Sequence, residues 1–168
     1  MLNGLLQLFG TAIWFILPAY VANATPVILG GGSPLDGGKK LKDGRPIFGP
    51  GKTIRGFMAG VIAGSAMGGL EGVVEQSHIY FLLGFLLSLG ALVGDLLGSF
   101  IKRRLNIPRG RPAPILDQIG FVVFALVFAS PVMLPSGEII LTILAITPLI
   151  HLGTNLIAYK LGLKDRPY

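Results

Sequence analysis

The sequence predicts an all-α integral membrane protein with five transmembrane helices, built as a single domain over residues 1–168. Two observations carry that prediction. The chain is 52% hydrophobic and only 13% charged, with a mean hydropathy of +0.72. Soluble domains carry roughly 25% charge, and a core of this size cannot hide so many apolar residues. The 14 Lys and Arg residues also fall in three clusters, separated by apolar runs near the twenty residues that cross a hydrocarbon layer about 30 Å thick. This composition excludes an ordinary soluble enzyme, a disordered chain and a disulfide scaffold. The absence of cysteine excludes thiolate catalysis and cysteine-ligated zinc. Glycine stands at 25, about twice its usual share of roughly 7%, as suits close-packed membrane helices and phosphate-holding loops.

The expected spans are residues 5–23, 57–74, 79–101, 119–134 and 139–159. The first has no Lys or Arg before it and is interrupted by Trp14 and Pro18, so it reads as a retained helix rather than a signal peptide. The fourth has a soft outer boundary, where Pro131 and Pro135 sit. Of the basic residues, six lie in the first connection: Lys39, Lys40, Lys42, Arg45, Lys52 and Arg55. Five lie in the third, namely Lys102, Arg103, Arg104, Arg109 and Arg111, and three in the tail, Lys160, Lys164 and Arg166. The N-terminus and the connections near Glu75 and Glu138 have none. Positive charge marks the cytoplasmic side. The N-terminus is therefore expected outside, with both larger connections and the C-terminus inside. The basic face also suits contact with anionic lipid headgroups.

The first connection is crowded with breakers: Gly30-Gly31-Gly32-Ser33-Pro34, Asp36-Gly37-Gly38, then Gly49-Pro50-Gly51. Irregular chain of that length in a compact protein is usually functional or disordered. Gly51-Lys52-Thr53 looks like the end of a P-loop, but that motif needs glycine where Pro46 stands, and no strand precedes it. A weaker reading survives. Gly49, Gly51, Lys52, Thr53 and Arg55 immediately precede a helix, whose N-terminus favours anions.

Asp95 falls inside the third span, about six residues or roughly 9 Å from its basic end. Ionisable groups at membrane depth are costly and face a partner or a polar cavity. Asp95, Ser99 and Lys102 are spaced i, i+4, i+7 and share a helix face, with Arg103 beside it. Asp117 opens the antiparallel fourth span, where Asp is also a favoured N-cap, and so returns to the same inner end. Two carboxylates and several cations at one depth suit Mg²⁺ with a nucleotide. His151 and Asn155 are i, i+4 neighbours on the fifth span, while His78 lies on the outer side. His151 is expected to be a packing residue, and no zinc-type ligand set is present.

The run Gly94-Asp95-Leu96-Leu97-Gly98-Ser99-Phe100-Ile101-Lys102-Arg103, followed after a basic Pro/Gly loop by Leu116-Asp117-Gln118, resembles the signature of membrane CTP-dependent cytidylyltransferases. With Asn23-Ala24-Thr25-Pro26 and the loop from Phe48 to Gly56, the wider pattern is similar to the archaeal CDP-archaeol synthases over essentially the whole chain. The bacterial phosphatidate cytidylyltransferase loop has a Lys-Asp pair and a Pro-Gly-His-Gly-Gly run that have no counterpart here. The resemblance implies that CTP reacts with an isoprenoid ether-lipid phosphate, giving a CDP-lipid and pyrophosphate. It implies that Asp95 and Asp117 hold Mg²⁺ and act with Lys102 in catalysis. It further implies a nucleotide site of Gly49, Gly51, Lys52, Thr53, Arg55, Ser99, Lys102 and Arg103. The lipid phosphate is already ionised, so no general base is required. The partners expected are CTP, the lipid substrate and the bilayer, with no nucleic acid.

Two competing classes make different demands. A small transporter with Asp95 as an ion-coupling site needs polar residues continuing across the outer halves of several spans, and these read as almost wholly apolar. A CDP-alcohol phosphotransferase needs a D-x-x-D-G pattern, which the chain lacks.

Overall fold

A computed structural model describes residues 2–108, 111 and 113–163; Arg109, Gly110, Pro112, Lys164 and Arg166, which belong to the charge pattern or its loop, lie outside the described residues. The described chain is helical: α1 (Leu2–Leu29), α2 (Ile54–Val74), α3 (Ile79–Arg104), α4 (Pro114–Gln118), α5 (Gly120–Ala129) and α6 (Gly137–Lys160). Helices α1, α2, α3 and α6 are long and apolar enough to cross a membrane. Large apolar side chains such as Ile62, Val73, Leu141 and Leu149 are exposed on their outer faces. In water that surface would be a liability; in hydrocarbon it is the solvated one.

The fourth expected span differs from the structure. Residues 119–134 were expected as one helix, but α5 covers only ten residues, roughly 15 Å. Pro131 explains the outer end: it has no N–H to give and disfavours helix at the residue before it. At the inner end, a break at Ile119 separates α5 from the five-residue α4.

Glycine sets how closely the helices approach. Along α2, Gly56, Gly60, Gly64 and Gly68 recur every four residues and are all buried, forming a smooth stripe that lets backbones meet. A Cβ on Gly64 would stand 2.6 Å from the Pro18 carbonyl oxygen of α1, and one on Gly68 2.6 Å from the Gly84 Cα of α3. Helix α3 meets α5 in the same way: a Cβ on Gly90 or Gly94 would lie 2.5 Å from the Phe124 oxygen or 2.8 Å from the Phe121 Cα. Around these contacts one buried cluster draws Phe15 and Ile16 from α1, Leu83 and Leu87 from α3, Phe121 and Val122 from α5, and Ile143 from α6. Helix α6 is tied to α1 by a 2.8 Å hydrogen bond between the hydroxyls of Thr147 and Tyr20.

The first connection is folded rather than irregular. Isolated bridges join Pro34 to Thr53 and Lys40 to Pro46, and Leu41 N–H donates to the Arg45 carbonyl at 3.0 Å, closing a small hairpin. The last residue of α3 anchors it. The Arg104 guanidinium donates to the Asp43 carboxylate at 2.5 Å and to the carbonyls of Arg45 and Pro46, while the Arg45 guanidinium donates to the Arg104 carbonyl. The first connection is thereby pinned over the end of α3, the end where the second basic cluster stands.

At the opposite end, Glu71 of α2 is fully buried, and neither carboxylate oxygen has a hydrogen-bond partner among the described residues. Its neighbour Glu75 accepts from the Trp14 indole N–H at 3.0 Å. Glu71 qualifies the expectation of apolar outer halves.

Candidate functional site at the loop-covered end

Thr53 starts the site. Its extended backbone ends the connection, and its hydroxyl accepts the Gly56 N–H at 3.1 Å, capping α2. Capping turns the chain so that Lys52, one residue earlier, faces α3. There its Nζ lies 2.5 Å from Asp95 Oδ2, with both side chains about 30% exposed. Pro26, Gly51, Lys52, Thr53, Gly56, Phe57, Leu92, Asp95 and Leu96 line a cleft of about 40 Å³, room for about one water molecule. A larger hollow of about 500 Å³ at the opposite end, lined by Gly69, Gly72, Val73, Gln76, Ser77, His78 and Phe81, carries no carboxylate, lysine or arginine. Of the two, the smaller cleft is the one lined by the candidate residues Gly51, Lys52, Thr53 and Asp95.

A second ion pair repeats the first. Lys102 Nζ lies 2.5 Å from Asp117 Oδ1. Asp117 does not cap α5 as a plain N-cap; it sits within α4 and reaches back, its Oδ2 accepting the Ala113 N–H at 2.9 Å. Pro114 opens that short helix, as proline at a first helical position does. Each expected metal-binding carboxylate is thus neutralised by one lysine.

Arg103 packs beneath the connection: a Cβ on Gly49 would meet its Cδ at 3.9 Å. Its Nε is buried without a partner among the described residues. Gly49 holds φ +92°, a left-handed conformation that only glycine takes without strain. The structure therefore brings together Gly51, Lys52 and Thr53 with Asp95, Lys102 with Asp117, and Gly49 with Arg103. It does not bring Ser99 or Arg55 into the cleft, and Gly49, Lys102, Arg103 and Asp117 are not among the cleft's lining residues either. Ser99 is buried on α3, and Arg55 is exposed on the first turn of α2. His151 meets Asn155 at 3.1 Å, and its ring lies tilted against that of Phe121 with centroids 6.2 Å apart.

Two residues of this end were passed over in the sequence. The Asp36 carboxylate accepts N–H groups from Gly38, Phe48 and Gly49 at 2.9 to 3.0 Å. Burial pushes its pKa up, but these backbone donors, Gly49 foremost, outweigh burial and hold it below the usual carboxylate value. Asp43 is likewise held low, first by the Arg45 backbone N–H and then, against some burial, by Arg104. In the sequence both read as turn residues, in Asp36-Gly37-Gly38 and in Asp43-Gly44.

The residues present fit a hard cation bound together with a phosphate ligand. Two carboxylates stand at the end that also carries the cations, and magnesium takes one or two carboxylates plus substrate phosphates. Among the described residues no three or more His, Cys, Asp or Glu side chains cluster to enclose a metal without help from substrate.

Helices of membrane length define an integral membrane protein, and paired carboxylates and lysines stand at one of its ends under a folded basic connection. The sequence profile of a family described as CarS-like, CDP-archaeol synthase, matches residues 5–168. The CDP-archaeol synthase of Pyrococcus horikoshii is 55% identical over 173 residues, covering 99% of each chain. That of Methanocaldococcus jannaschii is 47% identical, covering 95% of this chain and 97% of the relative. A solved structure of an intramembrane enzyme for archaeal membrane lipid biosynthesis superposes with a TM-score of 0.81 at 44% identity, covering 86% of this chain and 92% of that one. The chain belongs to the CDP-archaeol synthase family.

Proposed function

We propose that this chain transfers the cytidylyl group of CTP to 2,3-bis-O-(geranylgeranyl)-sn-glycerol 1-phosphate, forming CDP-2,3-bis-O-(geranylgeranyl)-sn-glycerol and pyrophosphate in archaeal ether-phospholipid synthesis. One observation carries the site assignment: the ion pairs Lys52–Asp95 and Lys102–Asp117 at the loop-covered end of the bundle. Family membership supports the reaction.

In that reaction an oxygen of the lipid phosphate forms a bond to the α-phosphorus of CTP. The bond from that phosphorus to the bridging oxygen breaks, and pyrophosphate leaves in line. Such transfers depend on positioning and charge neutralisation rather than covalent help from the protein. Asp95 and Asp117 are the residues that would hold Mg²⁺, which when bound neutralises charge on the reacting phosphates. Lys52 and Lys102 balance the two carboxylates before substrate arrives and are long enough to move onto triphosphate oxygens when it does. Arg103, whose Nε has no partner among the described residues, and Arg55 at the start of α2 add further positive charge. The 40 Å³ cleft is far too small for a nucleotide, so CTP lies across its mouth, against the 48–53 segment.

The reading includes an orientation. Five crossings, with α4 and α5 together as the fourth, put the N-terminus outside and the basic connections on the cytoplasmic face, where CTP is. The lipid phosphate comes from the bilayer on the same face.

The test is direct. Purified protein with CTP, Mg²⁺ and the ether-lipid phosphate is expected to release CDP-lipid and pyrophosphate in equal amounts, and chelating the metal is expected to stop both. Absence of CDP-lipid would overturn the reaction, and an undiminished rate in excess EDTA would overturn the metal assignment.

A further inference from the structure

Asp36 holds together the segment against which the nucleotide is read to bind. Its Oδ1 accepts the Gly38 N–H at 3.0 Å, a local turn contact. Its Oδ2 accepts the N–H groups of Phe48 and Gly49 at 2.9 and 3.0 Å, twelve and thirteen residues further on. Two successive N–H groups converging on one oxygen form a small anion-holding nest, filled here by the protein's own carboxylate. Asp36 is 8% exposed.

The path of the chain from Gly49 to Lys52 depends on that anchor. Gly49, at φ +92°, lies over the Arg103 side chain, whose Nε is buried and lacks a partner among the described residues. The Gly49 carbonyl accepts the Lys52 N–H at 3.2 Å, and the Lys52 carbonyl accepts the N–H of Leu35, next to Asp36, at 2.7 Å. The backbone of Lys52 is therefore held from both sides by residues that Asp36 ties down, and its Nζ reaches Asp95.

We propose that Asp36 is a positioning residue for the CTP phosphates: it fixes the 48–53 segment over Arg103 and aims Lys52 at the nucleotide. The inference rests on the cytidylyltransferase reading above. Asp36 touches no substrate; it acts through the backbone that it holds.

Asparagine at position 36 has one acceptor oxygen where the carboxylate has two. Its amide N–H₂ must face either Gly38 or the Phe48 and Gly49 donors, so one set is lost. Asp36→Glu keeps both acceptors and the charge on a longer stem. Binding of CTP with Mg²⁺ is read by calorimetry in detergent without lipid substrate, alongside KM for each substrate. Asp36→Asn is expected to weaken CTP binding about tenfold, the scale of one lost charge-assisted hydrogen bond, and to raise KM for CTP to match. KM for the lipid phosphate is expected to stay within about twofold, and Asp36→Glu to recover part of the affinity. If Asp36→Asn fails to fold, Asp36→Glu against the native chain carries the same comparison, with a smaller CTP-selective loss expected. Equal CTP binding by the native chain and the variant would overturn the inference, as would an equal rise in both KM values. Failure of the native chain to bind CTP at all would instead sink the underlying reading, and the inference with it.

Discussion

Asp95 and Lys102 were legible as single residues because charge at membrane depth is costly and so demands a partner. Asp117 was legible too, as returning to the inner end where Lys102 stands, but the pairing of Asp95 with Lys52 was not. Lys52 lies 43 positions before Asp95, and only the folded connection brings it back. Asp36 was hidden for a related reason: a carboxylate that organises distant backbone N–H groups looks, in sequence, like any turn aspartate. The paired geometry sharpens what substitution will do. Asp95→Asn and Asp117→Asn are each expected to lower turnover by at least about 100-fold, since even residues that merely support metal ligands are worth 10- to 100-fold. Each variant is expected to stay folded, because its amide can still accept a hydrogen bond from the lysine it faces. Steady-state rates at saturating Mg²⁺, beside thermal unfolding, check both halves; near-native turnover in either variant removes that residue from the metal site. Lys52→Ala and Lys102→Ala are expected to weaken CTP binding by about tenfold, and unchanged affinity in both would leave them as partners of the carboxylates alone.

Among the elements, α2 and α3 were read correctly in extent to within a few residues, since long apolar runs bounded by charge are hard to misplace. The fourth span was not, because periodicity says nothing about where a proline-flanked helix will stop. The glycine count pointed to close helix packing but not to which glycines matter, and the contacts now separate them. A Cβ on Gly84 would lie 2.5 Å from the Gly68 Cα, backbone against backbone, whereas one on Gly69 would meet only the Phe81 Cδ2 at 3.6 Å. Nothing between α2 and α3 can yield at Gly84 unless the helices part. Gly84→Ala is therefore expected to cost about 1–3 kcal/mol, the range for overpacking, and to lower the thermal midpoint clearly. Gly69→Ala is expected to leave it level or raise it slightly, since alanine is the better helix former by about 1 kcal/mol. Thermal unfolding of the two variants in the same detergent compares them, and equal midpoints would show that the α2–α3 contact does not limit stability.

At the scale of the whole molecule, the segregation of the basic residues was the most readable feature of the chain, and the fold gives it a physical setting. Arg104 pins the first connection to the end of α3, and Lys52 and Lys102 hold the two carboxylates at that same end. The paired carboxylates and the positive charge thus share one end of the bundle, while the other end has Glu71, Glu75 and Glu138 and no lysine or arginine. In the orientation proposed above, which follows the positive-inside rule, this end faces the cytoplasm, where CTP is available. The chain has no cysteine, so single thiols report position without background. Ser33 is exposed in the first connection and Ser136 is exposed before α6, which makes both accessible to a reagent from their own side. Ser136→Cys is expected to react with a membrane-impermeant maleimide in intact cells. Ser33→Cys is expected to react only after the membrane is opened. Labelling of position 33 from outside, with position 136 protected, would invert the orientation. It would also strand the paired carboxylates on the face that has no CTP, so the proposed reaction would fall with the topology.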